Sequence, residues 1–243
     1  MKAFLLSGGL GERLRPLTDT IPKCLAPIGG EPLLAIWLDL CQRHLVTEVL
    51  INVSRHADIV AAFIEKGAWN LDITLVRESE PIGNAGTVLA HRDFVGQDES
   101  FFVMYTDNLT SVALDKLAAF HATHDAPLTM GLFRTPAPEA SGIVQLREDG
   151  LVTAFEEKPA SPRGNLANAG IYVARQSLFD AIPATGAVVD FGRDVFPRLV
   201  GRMYGCVIEE FLMDIGTPAA LAEGTRRWTE RKASLTNVDR QTS

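Results

Sequence analysis

The chain of 243 residues is 47% hydrophobic and 22% charged, a composition that indicates a globular protein with one large domain or two small ones. Its formal net charge of −7 excludes nucleic acid as an expected partner, since a phosphate backbone binds to basic surfaces. Its three cysteines lack paired spacing and its apolar runs are short, which argues against a disulfide framework, a zinc site and a membrane partner, and predicts a cytoplasmic protein.

Short apolar strands alternate with helices over the first half of the chain. The pattern predicts strands at residues 2–6, 48–53, 73–76 and 101–105. It predicts helices beginning at Pro32 and spanning residues 56–66, 84–94 and 114–124. This alternation indicates βαβ units and a mostly parallel sheet.

The second half contains shorter strands that are separated by turn residues. Strands are predicted at 128–134, 143–147, 152–157 and 168–173, as an antiparallel extension of the same sheet. Helical stretches near 175–181 and 192–200, a strand at 203–209 and a helix at 218–227 follow. The predicted fold class is α/β: a Rossmann-like, doubly wound mixed sheet with helices on both faces. Residues 1–229 are expected to form a single domain, and the polar residues 230–243 a flexible tail.

A glycine-rich loop follows the first predicted strand, in the position where phosphate-binding loops lie. It lacks the lysine of a Walker loop, and Leu14 occupies the third glycine position of a dinucleotide fingerprint. The prolines that follow are expected to hold the segment extended rather than helical. On the glycines alone, a tight turn at the end of the strand is an equally good interpretation.

Two cations distinguish this loop from a simple turn. Arg13 and Lys23 lie directly downstream of the glycines, and they offer a forked donor and a point charge beside exposed backbone amides. A triphosphate requires such a combination. Residues 8–25 also resemble the signature G-G-x-G-x-R-L-x-P-L-T-x-x-x-P-K-x-L of the sugar-1-phosphate nucleotidylyltransferase family, with every fixed position matched.

The resemblance extends over about residues 1–227 and implies a nucleotide-diphospho-sugar transferase fold and a defined reaction. Such enzymes transfer a nucleoside monophosphate from a nucleoside triphosphate to a sugar-1-phosphate and release pyrophosphate. It implies a catalytic role for Arg13 and Lys23. The implied nucleotide-binding positions are Leu6, Ser7, Gly8, Gly9, Gly11, Glu78, Gly83 and Asn84. Residues 78–86 are similar to the E-x-x-P-L-G-T-A-G element of guanylyltransferases, from which Ile82 and Asn84 depart.

Two aspartates are candidates for holding a metal ion. Asp107 follows the strand at 101–105, and Asp214 stands just before a helix that Thr217 and Pro218 begin. On spacing alone, a turn or a helix cap is the more frequent explanation of such an aspartate. The family resemblance assigns the two positions to magnesium, which one or two carboxylates, waters and phosphate oxygens suffice to bind.

The segment Glu157-Lys158-Pro159 matches the family's E-K-P element, in which the glutamate contacts sugar hydroxyls and the lysine holds the sugar phosphate. Strand alternation places Glu157 and Lys158 on opposite faces, so these roles require the strand to end here. Without the resemblance, the end of a solvated hairpin is the favoured interpretation. The remaining sugar-phosphate positions that the resemblance implies are Asn108, Gly142 and Asn168.

The resemblance to guanylyltransferases also suggests the substrates. Residues 190–197 are similar to a segment of mannose-1-phosphate and manno-heptose-1-phosphate guanylyltransferases, which favours GTP and a manno-configured sugar. A uridylyl-, thymidylyl- or cytidylyltransferase, a catalytically silent regulatory homologue and a nicotinamide-dependent dehydrogenase are the alternatives. The histidines suggest no metal site, and His121 and His124 are expected on a solvated helix face. The sequence leaves a homo-oligomer open.

Overall fold

The computed structural model describes residues 1–44, 46–184 and 188–241, with side chains described as far as residue 234. The strands are β1 Lys2–Leu6, β2 Pro27–Ile28, β3 Glu31–Pro32, β4 Glu48–Val53, β5 Asp72–Arg77, β6 Ser100–Tyr105, β7 Asn108–Thr110, β8 Leu128–Arg134, β9 Gly142–Leu146, β10 Val152–Glu157, β11 Leu166–Arg175, β12 Tyr204–Val207 and β13 Leu212–Asp214. The α-helices are α1 Leu33–Arg43, α2 Ala57–Lys66, α3 Asn84–Ala90, α4 Leu114–His121, α5 Phe196–Leu199 and α6 Pro218–Gln241.

Nine of these strands form one mixed sheet in the order β10-β9-β11-β6-β1-β4-β5, with β8 beside β11 and β12 beside β8. Strands β6, β1, β4 and β5 are parallel to one another. Strands β8 to β11 pair antiparallel, and this confirms the predicted extension of the same sheet. Because the four parallel strands run the same way, their carboxyl ends meet at one edge.

Helices cover both faces of the sheet, as the sequence predicted. Alternating residues of β1 illustrate the two layers, since Ala3 and Leu5 pack into one core while Phe4 and Leu6 pack into the other. The first core includes side chains of α1, α2, α4 and α6, and the second includes side chains of α3 and α5. Burying each large apolar side chain contributes about 1.5–3 kcal/mol, so the two cores fix the sheet that carries the site.

Several predicted boundaries differ from the structure. The helix predicted at 84–94 is divided into α3 and a 3₁₀ turn at Arg92–Phe94. The proline-rich segment is not extended but folds into three 3₁₀ turns, at Glu12–Leu14, Leu17–Asp19 and Lys23–Leu25. These short turns tolerate proline where a longer helix would lose hydrogen bonds.

The last helix continues well beyond the predicted end at residue 227. Charged pairs sustain it where the apolar pattern stops, as Arg226 pairs with Glu223 and Glu230, and Lys232 pairs with Glu31. The backbone is therefore helical through Gln241. The prediction that a single domain ends at residue 229 and is followed by a flexible tail stays a prediction. Over the part of the chain that the structure describes, no helix is long and apolar enough to span a membrane.

His121 contradicts the prediction of a solvated helix face, because it is 1% exposed. Its Nδ1 lies 2.8 Å from the Thr129 hydroxyl, which also lies 3.1 Å from Nε2 of His124. Helix α4 ends beside β8, so the side chain of His121 in its last turn faces the sheet. Burial, reinforced by the charges of Arg175 and His124, lowers the pKa of His121 to about 4.

We expect the free energy of unfolding to fall as the pH falls from about 6.5 towards 4. The unfolded chain binds a proton at His121 in this range while the folded chain does not, and each such proton contributes a slope of roughly 1.4 kcal/mol per pH unit. His121→Asn, which does not titrate, should flatten the slope. Denaturant unfolding between pH 4 and pH 7 measures it, with the half-buried His91→Asn as control. An unchanged slope in His121→Asn contradicts the prediction.

Candidate active site

A cavity of about 700 Å³ lies at the carboxyl edge of the parallel strands. A cavity of this volume accommodates a nucleotide-sized ligand. The predicted site residues that line it are Leu6, Ser7, Gly8, Gly9, Gly11, Arg13, Lys23, Glu78, Gly83, Asn84 and Asp107. The predicted residues outside its wall are Asn108, Gly142, Glu157, Lys158, Asn168 and Asp214.

The glycine loop folds back onto the turn that carries Lys23. Gly11 has a φ of +64°, and a Cβ added there would lie 2.8 Å from Cγ2 of Thr18 and 3.3 Å from Cβ of Lys23. The Thr18 hydroxyl donates to the Gly11 carbonyl at 2.8 Å. Only glycine combines this left-handed conformation with such close packing. The loop and the lysine are therefore held together as one unit.

A residue that the sequence analysis missed, Asn52, ties this loop to Glu78. Asn52 is the penultimate residue of β4 and is 4% exposed. Its Oδ1 accepts from the Ser7 amide at 2.9 Å, and its Nδ2 donates to Oε2 of Glu78 at 3.0 Å. The Thr87 hydroxyl donates to Oε1 of Glu78 at 2.6 Å. A buried amide at the carboxyl end of a strand was the available signal, since buried polar groups require partners.

Asn52→Asp is expected to weaken nucleotide binding about tenfold or more, because it sets a second carboxylate against Glu78 and removes the donor that holds it. The oxygen that accepts from the Ser7 amide is retained, so the change acts on Glu78. Calorimetric titration with a nucleoside triphosphate measures the dissociation constant. Exposed Asn70→Asp adds the same charge elsewhere and serves as the control. Equal affinity of the two variants would contradict the role of Asn52.

Lys23 and Asp107 form an ion pair at the base of the cavity. Nζ of Lys23 lies 3.2 Å from Oδ2 of Asp107, and the two side chains are 11% and 46% exposed. The Arg13 guanidinium lies beside Gly216, where an added Cβ would be 2.7 Å from Nη2. Oδ1 of Asp214 accepts from the Gly216 amide at 2.6 Å. Gly216 therefore lies between the Arg13 guanidinium and the Asp214 carboxylate.

A small antiparallel ribbon, which the sequence did not predict, brings the two aspartates together. Strand β13 pairs with β7 so that Asp214 stands opposite Asn108, the neighbour of Asp107. The carbonyl of Asn108 accepts from the Trp37 indole at 3.0 Å, and its side-chain amide donates to the Ala169 carbonyl at 3.0 Å. Both contacts anchor β7 to the body of the domain.

The donor set of these aspartates suits a hard divalent cation. Two carboxylates stand beside a cavity that is large enough for waters and phosphate oxygens, which such an ion takes as its other ligands. Among the described residues there is no cluster of three or more histidine, cysteine or acidic side chains that would bind a metal by itself. The residues therefore fit an ion that is shared with the substrate.

Two further predicted residues, Glu157 and Lys158, lie outside the cavity wall, as do Gly142 and Asn168. We call these four residues the Glu157 group. Strand β10 ends at Glu157, and Lys158 has a φ of +47°, so the alternation of side chains stops as the E-K-P interpretation requires. Nζ of Lys158 lies 3.8 Å from Oε1 of Glu157. Partial burial raises the pKa of Glu157; the Lys158 ammonium opposes this rise and the Asp190 carboxylate adds to it.

Two glycines leave room for the Glu157 carboxylate. A Cβ added at Gly142 would lie 2.8 Å from Oε2 of Glu157, and one added at Gly192 would lie 2.7 Å from it. Gly142 is the register partner of Glu157 in the β9–β10 pair. The predicted position Asn168 is near the bend of β11, where its Oδ1 accepts from the Gly170 amide at 2.9 Å.

An aromatic pair links the cavity wall to strand β11. Tyr105 lines the cavity, and its ring packs edge-on against Tyr172 with the centroids 5.6 Å apart. Tyr172 lies one strand away from Tyr105 in β11, and the charge of Glu157 reaches it strongly enough to contribute to a raised pKa, of which burial is the main cause.

Comparison with known proteins shows the family of this chain. The family model described as nucleotidyl transferase matches residues 2–231. Probable mannose-1-phosphate guanylyltransferase 2 of Oryza sativa subsp. japonica is 32% identical over 98% of this chain and 68% of its own length. The mannose-1-phosphate guanyltransferase of Schizosaccharomyces pombe is 33% identical over 93% of this chain and 63% of its own. The chain therefore spans about two thirds of the length of these relatives.

Solved structures share the fold. A putative glucose-1-phosphate thymidylyltransferase from Bacillus anthracis superposes with a TM-score of 0.83 at 23% identity, over 93% of this chain and 94% of the other. HddC from Yersinia pseudotuberculosis, complexed with GMP-PN, gives 0.77 at 22% identity, over 93% and 99%.

The chain belongs to the nucleotidyl transferase family. This membership confirms the resemblance drawn from residues 8–25 and the prediction of a nucleotidyltransferase enzyme, and it leaves the dehydrogenase alternative without support. Members of the family generally use a divalent metal ion.

Proposed function

We propose that this enzyme transfers GMP from GTP to a manno-configured sugar-1-phosphate in the cytoplasm, with Mg²⁺ as its metal ion. The observation that carries the proposal is the cavity wall in which the glycine loop, Arg13, Lys23 and Asp107 meet at one sheet edge. Both curated relatives described above are named as enzymes that act on mannose 1-phosphate and carry a guanylyl group. The names support the choice of base and sugar.

In the proposed reaction, an oxygen of the sugar phosphate forms a bond to the α-phosphorus of GTP. The bond from that phosphorus to the bridging oxygen breaks, and pyrophosphate leaves with the bonding electrons. A phosphate monoester dianion is already a nucleophile, so no side chain needs to remove a proton. The protein's contribution is to bring two anions together and to stabilise the charge that develops.

The predicted site residues have distinct roles in the proposed reaction. The amides of the glycine loop and the side chains of Arg13 and Lys23 hold the β- and γ-phosphates and stabilise the leaving pyrophosphate. Lys158 orients the attacking phosphate, and Glu157 accepts hydrogen bonds from sugar hydroxyls. Mg²⁺ held by Asp107 and Asp214 would supply positive charge next to the reacting phosphate oxygens.

The experiment that tests the proposal is product identification with four nucleoside triphosphates and several sugar-1-phosphates. We expect GTP with mannose 1-phosphate or a manno-heptose 1-phosphate to give the highest kcat/KM, with pyrophosphate and the nucleotide sugar formed in equal amounts. A strong preference for UTP, dTTP or CTP would assign the chain to one of the other nucleotidylyltransferases. No pyrophosphate release with any pair would favour the silent regulatory homologue.

A further inference from the structure

Asn84, the first residue of α3, does not offer its side-chain amide to the cavity that it lines. Its Nδ2 donates to Oδ2 of Asp190 at 2.6 Å, and its Oδ1 accepts from the Phe191 amide at 2.7 Å. Both polar atoms of the side chain are therefore hydrogen-bonded to residues 190 and 191. In the guanylyltransferase element that this loop resembles, threonine stands at this position, and its one hydroxyl oxygen would have to both donate and accept where Asn84 uses two separate atoms.

The backbone continues the same connection. The Val189 amide donates to the Ile82 carbonyl at 3.0 Å, and the Val189 carbonyl accepts from the Ala85 and Gly86 amides at 3.1 and 3.2 Å. A Cβ added at Gly83 would lie 2.2 Å from the Val189 carbonyl oxygen, so only glycine allows this approach. Residues 82–86 and 189–191 are therefore joined by five hydrogen bonds, which we call the loop bridge.

Residues 189–191 of the loop bridge are followed by Gly192, which lies against the Glu157 carboxylate. Oδ1 of Asp190 accepts from the Arg193 amide at 3.1 Å, which fixes the turn that contains Gly192. A Cβ at Gly192 would lie 2.7 Å from Oε2 of Glu157 and 3.2 Å from Oδ1 of Asp190, so the two carboxylates flank one glycine. A displacement of Asn84 can thus reach the surroundings of Glu157 through Asp190 and Gly192.

We propose that Asn84 and Asp190 form a positioning pair that couples nucleotide binding to sugar-phosphate binding. The inference rests on the proposed function, which puts the nucleotide at residues 78–84 and the sugar at Glu157. A nucleotide that orders the start of α3 also orders the 189–192 segment, so the sugar phosphate binds to a site that is already formed. By reciprocity, the sugar phosphate raises the affinity for the nucleotide by the same factor.

A reciprocal exchange of the two side chains tests this pair. Asn84→Asp alone sets two carboxylates against each other and should abolish the coupling. The double variant Asn84→Asp with Asp190→Asn restores a donor and an acceptor. In it, the carboxylate introduced at position 84 accepts from the Phe191 amide and from the side-chain amide introduced at position 190, whose oxygen still accepts from the Arg193 amide. The exchange keeps the shape of both side chains and the total charge of the pair.

The readout is the dissociation constant of α,β-methylene GTP, which cannot release pyrophosphate, with and without saturating mannose 1-phosphate and Mg²⁺. For the wild-type protein we expect the sugar phosphate to tighten nucleotide binding by about fivefold or more. The factor should fall to about one in Asn84→Asp and return in the exchanged variant. Hydrogen exchange gives a second readout, since the nucleotide alone should protect the amides of 189–192 in the wild type and not in Asn84→Asp.

The outcomes separate this inference from the function on which it rests. Wild-type coupling in Asn84→Asp, or no coupling in a wild-type protein that makes GDP-mannose, overturns the positioning pair and leaves the proposed reaction intact. If the wild type neither binds the analogue nor releases pyrophosphate with any triphosphate, the proposed function itself has failed. Thermal unfolding of each variant shows whether a lost coupling reflects a folded protein.

Discussion

Asp107→Ala is expected to lower kcat by about 10²–10³-fold, as loss of one preorganised charge at a reacting group commonly does. The carboxylate stands at the carboxyl end of β6, beside the ribbon that brings Asp214 to the same place. In the proposed reaction, its removal would deprive the divalent ion of one of its two protein ligands. Pyrophosphate release under saturating substrates measures kcat, and Mn²⁺ titration followed by electron paramagnetic resonance should show weakened metal binding.

The ion pair with Lys23 calls for a second variant. Asp107→Ala leaves the largely buried ammonium of Lys23 without its partner, and this could destabilise the protein. Asp107→Asn keeps the size of the side chain and an oxygen for Lys23, so a comparable fall in kcat with unchanged thermal unfolding would assign the loss to the missing charge. Fully exposed Asp93→Ala serves as the matched control. Near wild-type turnover of a folded Asp107 variant would rule out its catalytic role.

The second large effect is expected for Lys23→Ala, again a fall in kcat of about 10²–10³-fold. The glycine loop packs against the stem of this lysine, and its side chain is only 11% exposed. In the proposed reaction, the ammonium would stand where charge develops on the leaving pyrophosphate, and water would not screen it fully. Stopped-flow measurement of pyrophosphate formation separates the chemical step from product release.

Lys23→Arg distinguishes charge from geometry. Arginine keeps the charge but replaces a compact ammonium by a planar fork, so we expect it to recover only part of the activity. Exposed Lys66→Ala removes the same charge from α2 and should leave kcat unchanged. If Lys23→Ala raised KM for the triphosphate with kcat intact, the lysine would contribute to binding alone.

The cavity wall could be predicted because it depends on local patterns. Parallel strands place the residues that follow them at one edge, so the positions of the glycine loop, Glu78 and Asp107 follow from the order of strands and helices. The signature at residues 8–25 added the chemistry of Arg13 and Lys23. The position of Lys158 required one further condition, the end of β10 at Glu157, which the structure meets.

Other features depend on contacts between distant segments, which no local pattern reports. Strands β7 and β13 have three residues each, too few for an alternation that a sequence could display. The partners of Asn52 and Asn84 come from other elements, so neither amide could be assigned from its own neighbours in the chain. His121 was misplaced for the same reason, because the last turn of α4 is buried by β8.

The ribbon formed by β7 and β13 also has a consequence for folding. It closes a loop that spans nearly half of the chain, and the entropy cost of closing such a loop must be met before the two aspartates can act together. Long-range pairings of this kind slow folding more than they reduce stability. A ligand that engages both aspartates adds its own binding free energy to that closure by mass action. The melting temperature should therefore rise with the concentration of substrate and metal together.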